Sequence, residues 1–150
     1  MHKLVIALVI AVAGAGSLMG SERDDVMAPA RQFIDGFNKR DVKMAKAVCT
    51  PQLFIIDDFP PHAWAGSAAI SKWLEDLETF GKKNGSSGWF VMLGKPRHVD
   101  VTDTHAYVVV PTSLTYKKKE QSVKDTGLMT LALEKGTGGW RIAAWSWADD

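Results

Sequence analysis

Two adjacent carboxylates, Asp57 and Asp58, follow the apolar segment LFII at residues 53–56, and a histidine, His62, lies a few residues further on. A carboxyl group that ends an apolar strand loses water if it points into a cavity, and this desolvation raises its pKa. With a pKa near neutrality it can act as a general base or acid. Because aspartate is also a favoured turn residue, the pair could instead cap a turn into the following prolines, and both interpretations stay open.

Two further residues of this segment have comparable alternatives. His62 lies five residues after Asp57 and could hydrogen-bond a ligand or the aspartate, or it could be an exposed loop histidine. Trp64 could line the rim of a cavity or simply pack in the core. We predict Asp57 as the catalytic base and His62 as a second catalytic candidate.

The segment that positions Asp57 is predicted to be a short strand, LFIID, at residues 53–57. It is too short for a helix and rich in residues that suit a pleated surface. Side chains alternate along a strand, so Leu53, Ile55 and Asp57 share one face and Asp58 lies on the other. The two carboxylates are therefore expected to point in opposite directions.

Three helices are predicted from the spacing of their apolar residues. The first runs from Ser21 onward and presents Val26, Ala30, Phe33, Ile34 and Phe37. The second follows an N-cap at Asp41 and presents Met44, Ala45, Val48 and Cys49. The third follows a turn and N-cap at Gly66-Ser67 and presents Ile70, Trp73, Leu74 and Leu77, and GKKNGSSG at residues 81–88 is predicted to close it as a loop.

Strands dominate the chain after residue 88, and they are separated by turn signals. Helices first and antiparallel strands afterwards indicate an α+β fold with helices on one face of a curved sheet. Trp145 and Trp147 alternate on the last strand, so both indoles face the same side. On the long strand, Ser113 shares a face with Tyr107 and Thr115 and is a polar pocket candidate if that face looks inward.

The first 20 residues have the layout of a secretory signal peptide, with Lys3, an apolar run at residues 4–13 and small residues after it. We expect cleavage between about residues 15 and 20, leaving residues 21–150 as one exported domain without a membrane anchor. Loss of Lys3 reduces the 18 basic residues to 17, against 17 acidic ones, so charge gives no case for nucleic-acid binding. Cys49 is the only cysteine, and we favour a small buried hydrophobe over a reactive thiol.

The order of elements resembles the NTF2-like superfamily, and within it the SnoaL-like and ketosteroid-isomerase-like proteins. The features that carry this resemblance are a short strand ending in Asp, a helix opened by Gly-Ser-Ala-Ala-Ile and long strands ending in WRIAAWSW, over about residues 25–147. The resemblance implies a cone-shaped fold, with three N-terminal helices packed on a strongly curved, mostly antiparallel sheet that encloses a pocket. This fold hosts isomerases, dehydratases, cyclases and binding proteins, so it does not fix the function.

The resemblance also implies a role for Asp57. In ketosteroid isomerases the proton-shuttling aspartate ends the short strand nine positions before the glycine that opens the third helix, and nine positions before Gly66 is Asp57. The second aspartate of that active site falls at about Met129. Its tyrosines fall at residues without a hydroxyl: Phe33, Cys49 and Leu74. Without these donors an oxyanion hole of that type is missing, so we do not predict a steroid isomerase.

We therefore expect an exported SnoaL-like pocket protein. If it is an enzyme, we expect cofactor-free proton transfer, of the isomerase or cyclase type, on a small hydrophobic carbonyl compound. The alternative is a non-catalytic module that binds a small molecule or dimerises through its open sheet face. The predicted pocket residues are Phe33, Phe37, Trp64, Trp73, Ser113, Met129, Trp145 and Trp147. The expected partners are a small hydrophobic molecule and a second copy of the chain, and no cofactor or metal ion is expected.

Overall fold

The computed structural model describes residues 15–150, with side chains from residue 20 onward. Its helices are α1 (Ala15–Lys39), α2 (Val42–Ala47) and α3 (Ala69–Asn84). Its strands are β1 (Cys49–Ile56), β2 (Ala63–Ala65), β3 (Ser86–Leu93), β4 (His98–Val101), β5 (His105–Lys118), β6 (Gln121–Gly136) and β7 (Gly139–Asp149). The predicted signal peptide falls largely on residues 1–14, which lie outside the described residues.

The strands form one curved, unclosed sheet in the order β2-β1-β7-β6-β5-β3, and β4 also pairs with β5. Neighbouring strands are antiparallel except β1 and β7, which run parallel. The helices pack on one face, called here the inner face, and the opposite face is called the outer face. This confirms the predicted α+β fold with helices on a mostly antiparallel, curved sheet.

Helix α1 packs through the apolar residues that its spacing singled out, and Val26, Ala30 and Phe33 are each at most 1% exposed. Two hydrogen bonds link its last turn to β3. The side-chain Nδ2 of Asn38 donates to the carbonyl oxygen of Val91, and its Oδ1 accepts from the backbone N–H of Val91, both at 2.8 Å. The helix starts at Ala15, upstream of the predicted start at Ser21. Within residues 15–150, none of the helices is both long and apolar enough to cross a membrane.

The carboxylate of Asp41 caps α2 as predicted, since its Oδ1 accepts the backbone N–H of Met44 at 2.9 Å. The placement of Cys49 on the apolar face of this helix was wrong, because α2 ends at Ala47 and Cys49 opens β1. Cys49 is still buried, and burial raises the pKa of its thiol to about 12. A thiol with such a pKa is rarely ionised, which supports a packing role.

The alternation predicted along β1 is confirmed within the strand, which ends at Ile56. Leu53, Ile55 and Asp57 are buried, whereas Asp58 is exposed. The expectation that the carboxylates of Asp57 and Asp58 point in opposite directions was wrong, because both line the same cavity. The short strand β2 was not predicted, and it forms an antiparallel hairpin with β1 in which Ile55 pairs with Trp64. This hairpin fixes the backbone on both sides of the Asp57 turn.

The predicted N-cap of α3 at Ser67 was wrong. The cap position is Ala68, and no side chain caps the helix. Instead, the N–H of Ala69 bonds to the carbonyl oxygen of Gly66 at 3.1 Å and closes a turn at the helix start. A backbone carbonyl oxygen thus provides the hydrogen-bond acceptor at the helix start that the serine hydroxyl was expected to provide.

The loop predicted at residues 81–88 is much shorter in the structure. Helix α3 runs to Asn84, and β3 already begins at Ser86. Between them Gly85 has a left-handed conformation with φ of 67°, which glycine adopts without steric cost. Glycine and lysine in this segment therefore end the helix rather than form an extended loop.

Candidate functional site

A cavity of about 320 Å³ lies between the inner face of the sheet and helices α1 and α3, and is called here the aspartate cavity. Its walls are largely aromatic, with Phe33 and Phe37 from α1 and Trp73 from α3. Strand β7 closes the opposite side with Trp145 and Trp147. Among this apolar lining, Asp57 is a buried carboxyl group.

The carboxylate of Asp57 is held by two hydrogen bonds and is only 9% exposed. Its Oδ2 accepts from the indole Nε1 of Trp73 at 2.8 Å, and its Oδ1 accepts from the backbone N–H of Asp58 at 2.8 Å. A carboxylate can accept about four hydrogen bonds, so each oxygen keeps a lone pair for a ligand. The two donors orient the group within the cavity.

Burial raises the pKa of Asp57 to about 6, and this effect exceeds the lowering that the Trp73 and Asp58 hydrogen bonds produce. Desolvation dominates because the apolar walls disfavour the charged form. At pH 7 a carboxyl group with this pKa is mostly ionised and readily takes up a proton. The site therefore contains a group suited to act as a general base.

The end of the cavity that faces solvent is acidic. Asp58, Asp125 and Asp149 join Asp57 in the lining, where Lys118 contributes a positive charge. Burial, followed by the charge of Asp149, raises the pKa of Asp58. Within residues 15–150, no three His, Cys, Asp or Glu side chains form a group that could hold a metal ion.

Aromatic contacts fix the deep end of the cavity. The ring of Trp73 packs edge-on against Trp145 with centroids 5.0 Å apart, and Phe33 lies 5.6 Å from Trp145. Phe37 lies 5.4 Å from Trp73 and continues this cluster toward solvent. Such offset and edge-on pairs add stability beyond the area that they bury. The cluster thus holds the indole that bonds Asp57 in a defined position.

The structure brings most of the predicted pocket residues together around Asp57. Those that line the cavity are Phe33, Phe37, Trp73, Met129, Trp145 and Trp147. Met129 lies opposite Trp147 in the β6–β7 ladder, which brings the sheet residues into register.

The predicted catalytic role of His62 does not fit its position. Its ring Nδ1 lies 3.2 Å from the backbone oxygen of Asp57, not from the carboxylate, and His62 does not line the cavity. The backbone reverses here, with the N–H of Asp57 bonded to the carbonyl oxygen of His62 at 3.1 Å. His62 is therefore a turn residue of the β1–β2 hairpin.

Trp64 and Ser113 also lie outside the aspartate cavity. Trp64 is buried against Phe59 with centroids 5.1 Å apart, and its Nε1 donates to Asp76 at 2.8 Å. Ser113 was assigned to the pocket on the assumption that its face of β5 looks inward, and this was wrong. The inner face of β5 instead carries Thr112, which is 4% exposed.

The lining residues that the sequence analysis missed include Thr112, Tyr116 and Trp89. Thr112 accepts a hydrogen bond from Trp147 Nε1 at 2.8 Å and donates to the carbonyl of Gly127 at 3.1 Å, so it orients one aromatic wall. The alternation of β5 contained the signal for Thr112 and Tyr116, once the inward face is known. Trp89 had no such signal.

A second cavity of about 370 Å³ lies between α1, α2, α3 and the start of β3, and is called here the helix-side cavity. Its walls include Ala45, Ile70 and Leu74, and charged residues such as Arg40 and Lys82 lie at its edge. It contains none of the carboxylates of the aspartate cavity. The two cavities adjoin each other and differ in their charged residues.

Sequence comparison matches residues 26–147 to the SnoaL-like domain family. This range includes every residue of the aspartate cavity except Asp149. No curated protein sequence matches the chain significantly.

Solved structures of similar fold come from several bacteria. A protein of unknown function from Mycobacterium tuberculosis has a TM-score of 0.75 and 16% identity, covering 93% of this chain and 78% of its own. A candidate scytalone dehydratase from Novosphingobium aromaticivorans has a TM-score of 0.72 and 14% identity, covering 91% of this chain and 89% of its own. A ketosteroid isomerase-like protein from Erwinia carotovora has a TM-score of 0.66 and 18% identity, covering 85% of this chain and 95% of its own. At these identities the likeness shows the fold alone.

Proposed function

The chain belongs to the SnoaL-like domain family, and from this premise we propose that it catalyses cofactor-free proton transfer on a small hydrophobic carbonyl compound. Asp57 is the general base in this proposal. The observation that supports it is the position of Asp57, buried in an aromatic cavity with a pKa of about 6. Removal of a proton beside a carbonyl group is a reaction that such a base can perform without a metal ion or cofactor.

The lining of the cavity supports the choice of a hydrophobic substrate. Aromatic rings such as Phe37, Trp73 and Trp145 offer flat apolar surfaces to a ligand. The carboxylates Asp58 and Asp149 at the solvent end disfavour anionic compounds because like charges repel. A neutral ketone with acidic protons next to its carbonyl group fits both conditions.

Deuterium exchange into 2-tetralone, a flat ketone, tests the proposal. The protein is incubated with the ketone in D₂O at pH 7, and loss of the proton signals beside the carbonyl group is followed by NMR. General-base catalysis contributes roughly 10²–10⁴-fold to the rate, so Asp57→Asn should lower the exchange rate by about 100-fold or more. Binding of the ketone should survive, because asparagine has nearly the same shape as aspartate.

Asp35 provides a matched control, since Asp35→Asn makes the same change on the exposed side of α1, at a residue that does not line the cavity. It should leave the exchange rate unchanged. If wild type and Asp57→Asn exchange the ketone at equal rates, Asp57 is not the base. If 2-tetralone and related flat ketones do not bind at all, the proposed substrate class is wrong.

The alternative function is non-catalytic binding of a small molecule in the same cavity. It is favoured by the residues at the positions where the resemblance places tyrosines, namely Phe33, Cys49 and Leu74, because none has a hydroxyl to stabilise an oxyanion. The exchange experiment separates the two functions. Binding of 2-tetralone without faster exchange would support the binder.

We further propose that the outer face of the sheet pairs with a second copy of the chain. Large apolar side chains lie 42–56% exposed on this face: Phe54, Ile56, Phe90, Met92 and Tyr107. A two-fold dimer buries the same patch on both copies, which makes a self-complementary surface efficient. Sedimentation equilibrium should show a dimer that Ile56→Lys dissociates, whereas Val42→Lys, at an exposed apolar residue of α2, should not. A monomeric wild type would contradict this proposal.

Export is also proposed, on the strength of Lys3 and the apolar run at residues 4–13. Cleavage between residues 15 and 20 would shorten α1 but leave its buried part from Val26 onward intact. Mass measurement of the protein isolated from cells that express the full chain tests this. An uncleaved N terminus in cells with working secretion would contradict it.

A further inference from the structure

The aspartate cavity and the helix-side cavity share one wall. The residues that line both are Phe33, Phe37, Trp73, Leu77, Ser86 and Trp89. Because the same residues face both spaces, the wall is a single layer of side chains. This layer therefore limits how far a ligand in the aspartate cavity can extend toward the helix-side cavity.

The members of this wall differ in how firmly they are held. Phe33 and Trp73 are only 1% and 6% exposed, and Trp73 is also hydrogen-bonded to Asp57. Trp89 is half-buried and lies near the start of β3, at the edge of the sheet. Trp89 is the largest side chain of the wall outside the buried cluster.

A β-bulge turns Trp89 toward the interior. In the β3–β5 ladder Ser87 pairs with Lys117 and Phe90 with Thr115, so β3 has one more residue than β5 between these pairs. Gly88 provides the required conformation with φ of 69°. Ser86 and Trp89 are three residues apart and would face opposite sides of a regular strand, yet through the bulge both line the cavities.

Helix α3 makes room for the Trp89 ring. Gly81 is buried against it, and a Cβ at this position would overlap the indole. Glycine inside a helix costs about 1 kcal/mol relative to alanine. The bulge on β3 and the glycine on α3 thus act on the same side chain and place it in the wall.

We propose that Trp89 sets the maximum length of the ligand by closing the aspartate cavity against the helix-side cavity. The inference rests on the ligand-binding part of the proposed function and does not depend on catalysis. Removal of the indole joins the two cavities. Ligands with an apolar chain too long for the wild-type protein then extend past Phe37 into the space beside Leu74.

Binding of straight-chain 2-alkanones from 2-hexanone to 2-tetradecanone, measured by calorimetry, tests this. In the wild-type protein each added methylene should tighten binding about fourfold, equivalent to about 0.8 kcal/mol, until the chain reaches the wall. Beyond that length the affinity should stay constant or fall. In Trp89→Ala the affinity should keep rising beyond the chain length at which the wild-type affinity levels off.

Two further variants keep the result interpretable. Trp89→Phe retains a ring against Gly81 and should move the limit by fewer carbons, which covers the case that Trp89→Ala does not fold. Trp140→Phe shortens a buried tryptophan that lines neither cavity, so it should leave the limit unchanged.

The outcomes distinguish this inference from the proposed function. If the ketones bind but the length limit is the same in wild type, Trp89→Ala and Trp89→Phe, the inference is wrong and the binding site stands. The same limit shift in Trp140→Phe would also overturn it. If no ketone of any length binds to any variant, the proposed ligand class fails together with the inference.

Discussion

Replacement of Asp57 by asparagine should make the stability of the protein less sensitive to pH between about 4 and 7. The side chain is only 9% exposed, and burial raises its pKa to about 6. Asparagine has a similar shape but carries no proton that titrates. Any hydrogen bond that it fails to make with Trp73 or Asp58 lowers stability by the same amount at every pH. The change with pH therefore reports the ionisation of Asp57 together with its effect on the neighbouring Asp58.

The sign and size of the effect follow from the two pKa values. The native state keeps the proton up to about pH 6, whereas the unfolded chain releases it near pH 3.8. Between these values the native state binds more protons, so the free energy of unfolding falls as pH rises. About two pKa units at 1.36 kcal/mol per unit amount to about 3 kcal/mol. This contribution is fully present below about pH 4 and is lost above about pH 6.

Urea unfolding followed by tryptophan fluorescence at pH 4 to 8 provides the measurement. Between pH 4 and 7 wild type should lose about 2.4 kcal/mol, most of this contribution, relative to Asp57→Asn, which lacks it. Asp35→Asn should follow the wild-type curve, because this carboxylate is exposed on α1. Parallel curves for wild type and Asp57→Asn would show that Asp57 is not desolvated. The assignment of a neutral-pH base would then fail.

Three other substitutions test the surroundings of the site. Trp73→Phe removes the N–H that bonds Asp57, so carboxyl NMR should show a higher Asp57 pKa; an unchanged pKa would contradict that bond. Gly81→Ala should lower the free energy of unfolding in urea by about 1–3 kcal/mol, because its Cβ overlaps the Trp89 ring. Alanine stabilises an isolated helix relative to glycine, so a Gly81→Ala protein that is more stable than wild type would show that the Trp89 ring does not lie against Gly81. Asp41→Ala should cost about 1 kcal/mol in the same assay through loss of the α2 cap, and an unchanged midpoint would argue against that cap.

The burial of Asp57 could be predicted because it depends on the local sequence of one short strand. Alternation along a five-residue strand already places Leu53, Ile55 and Asp57 on one face, and the structure buries all three. The cap at Asp41 followed equally well from local sequence. Such features depend on neighbours within a few residues, so one sequence contains enough information to find them.

The inward face of β5 was harder to predict, because both faces of this strand are apolar. Val108 and Val110 point inward, but the outer face carries Val109 and Pro111, which give the same hydrophobic pattern. Alternation then fixes which residues share a face without saying which face is covered by helices. Ser113 was placed in the pocket for this reason.

Trp89 could not be assigned to the cavities because its orientation depends on a bulge. The extra residue of β3 is visible only in the pairing with β5, between Ser87 and Phe90. The contact with Gly81 is likewise a tertiary contact, and the local sequence suggested a loop there. The position of the His62 ring could not be predicted either, since the β1–β2 hairpin directs the ring to the backbone oxygen of Asp57.

The energetic cost of Asp57 helps to choose between catalysis and simple binding. With its pKa of about 6, ionised Asp57 lowers the stability of the folded protein at neutral pH by about 3 kcal/mol relative to its protonated form. A pocket that only binds a neutral hydrophobic molecule gains nothing from this cost, because asparagine would offer similar hydrogen bonds without a desolvated charge. A proton-transfer catalyst requires the cost, since the same desolvation brings the carboxylate close to the pH at which it must accept a proton. The stability curve of Asp57→Asn and the exchange of 2-tetralone therefore test the same argument. A large effect of pH on stability together with fast exchange supports catalysis. A large effect of pH with ketone binding but no exchange would show a desolvated carboxylate that does not catalyse this proton transfer.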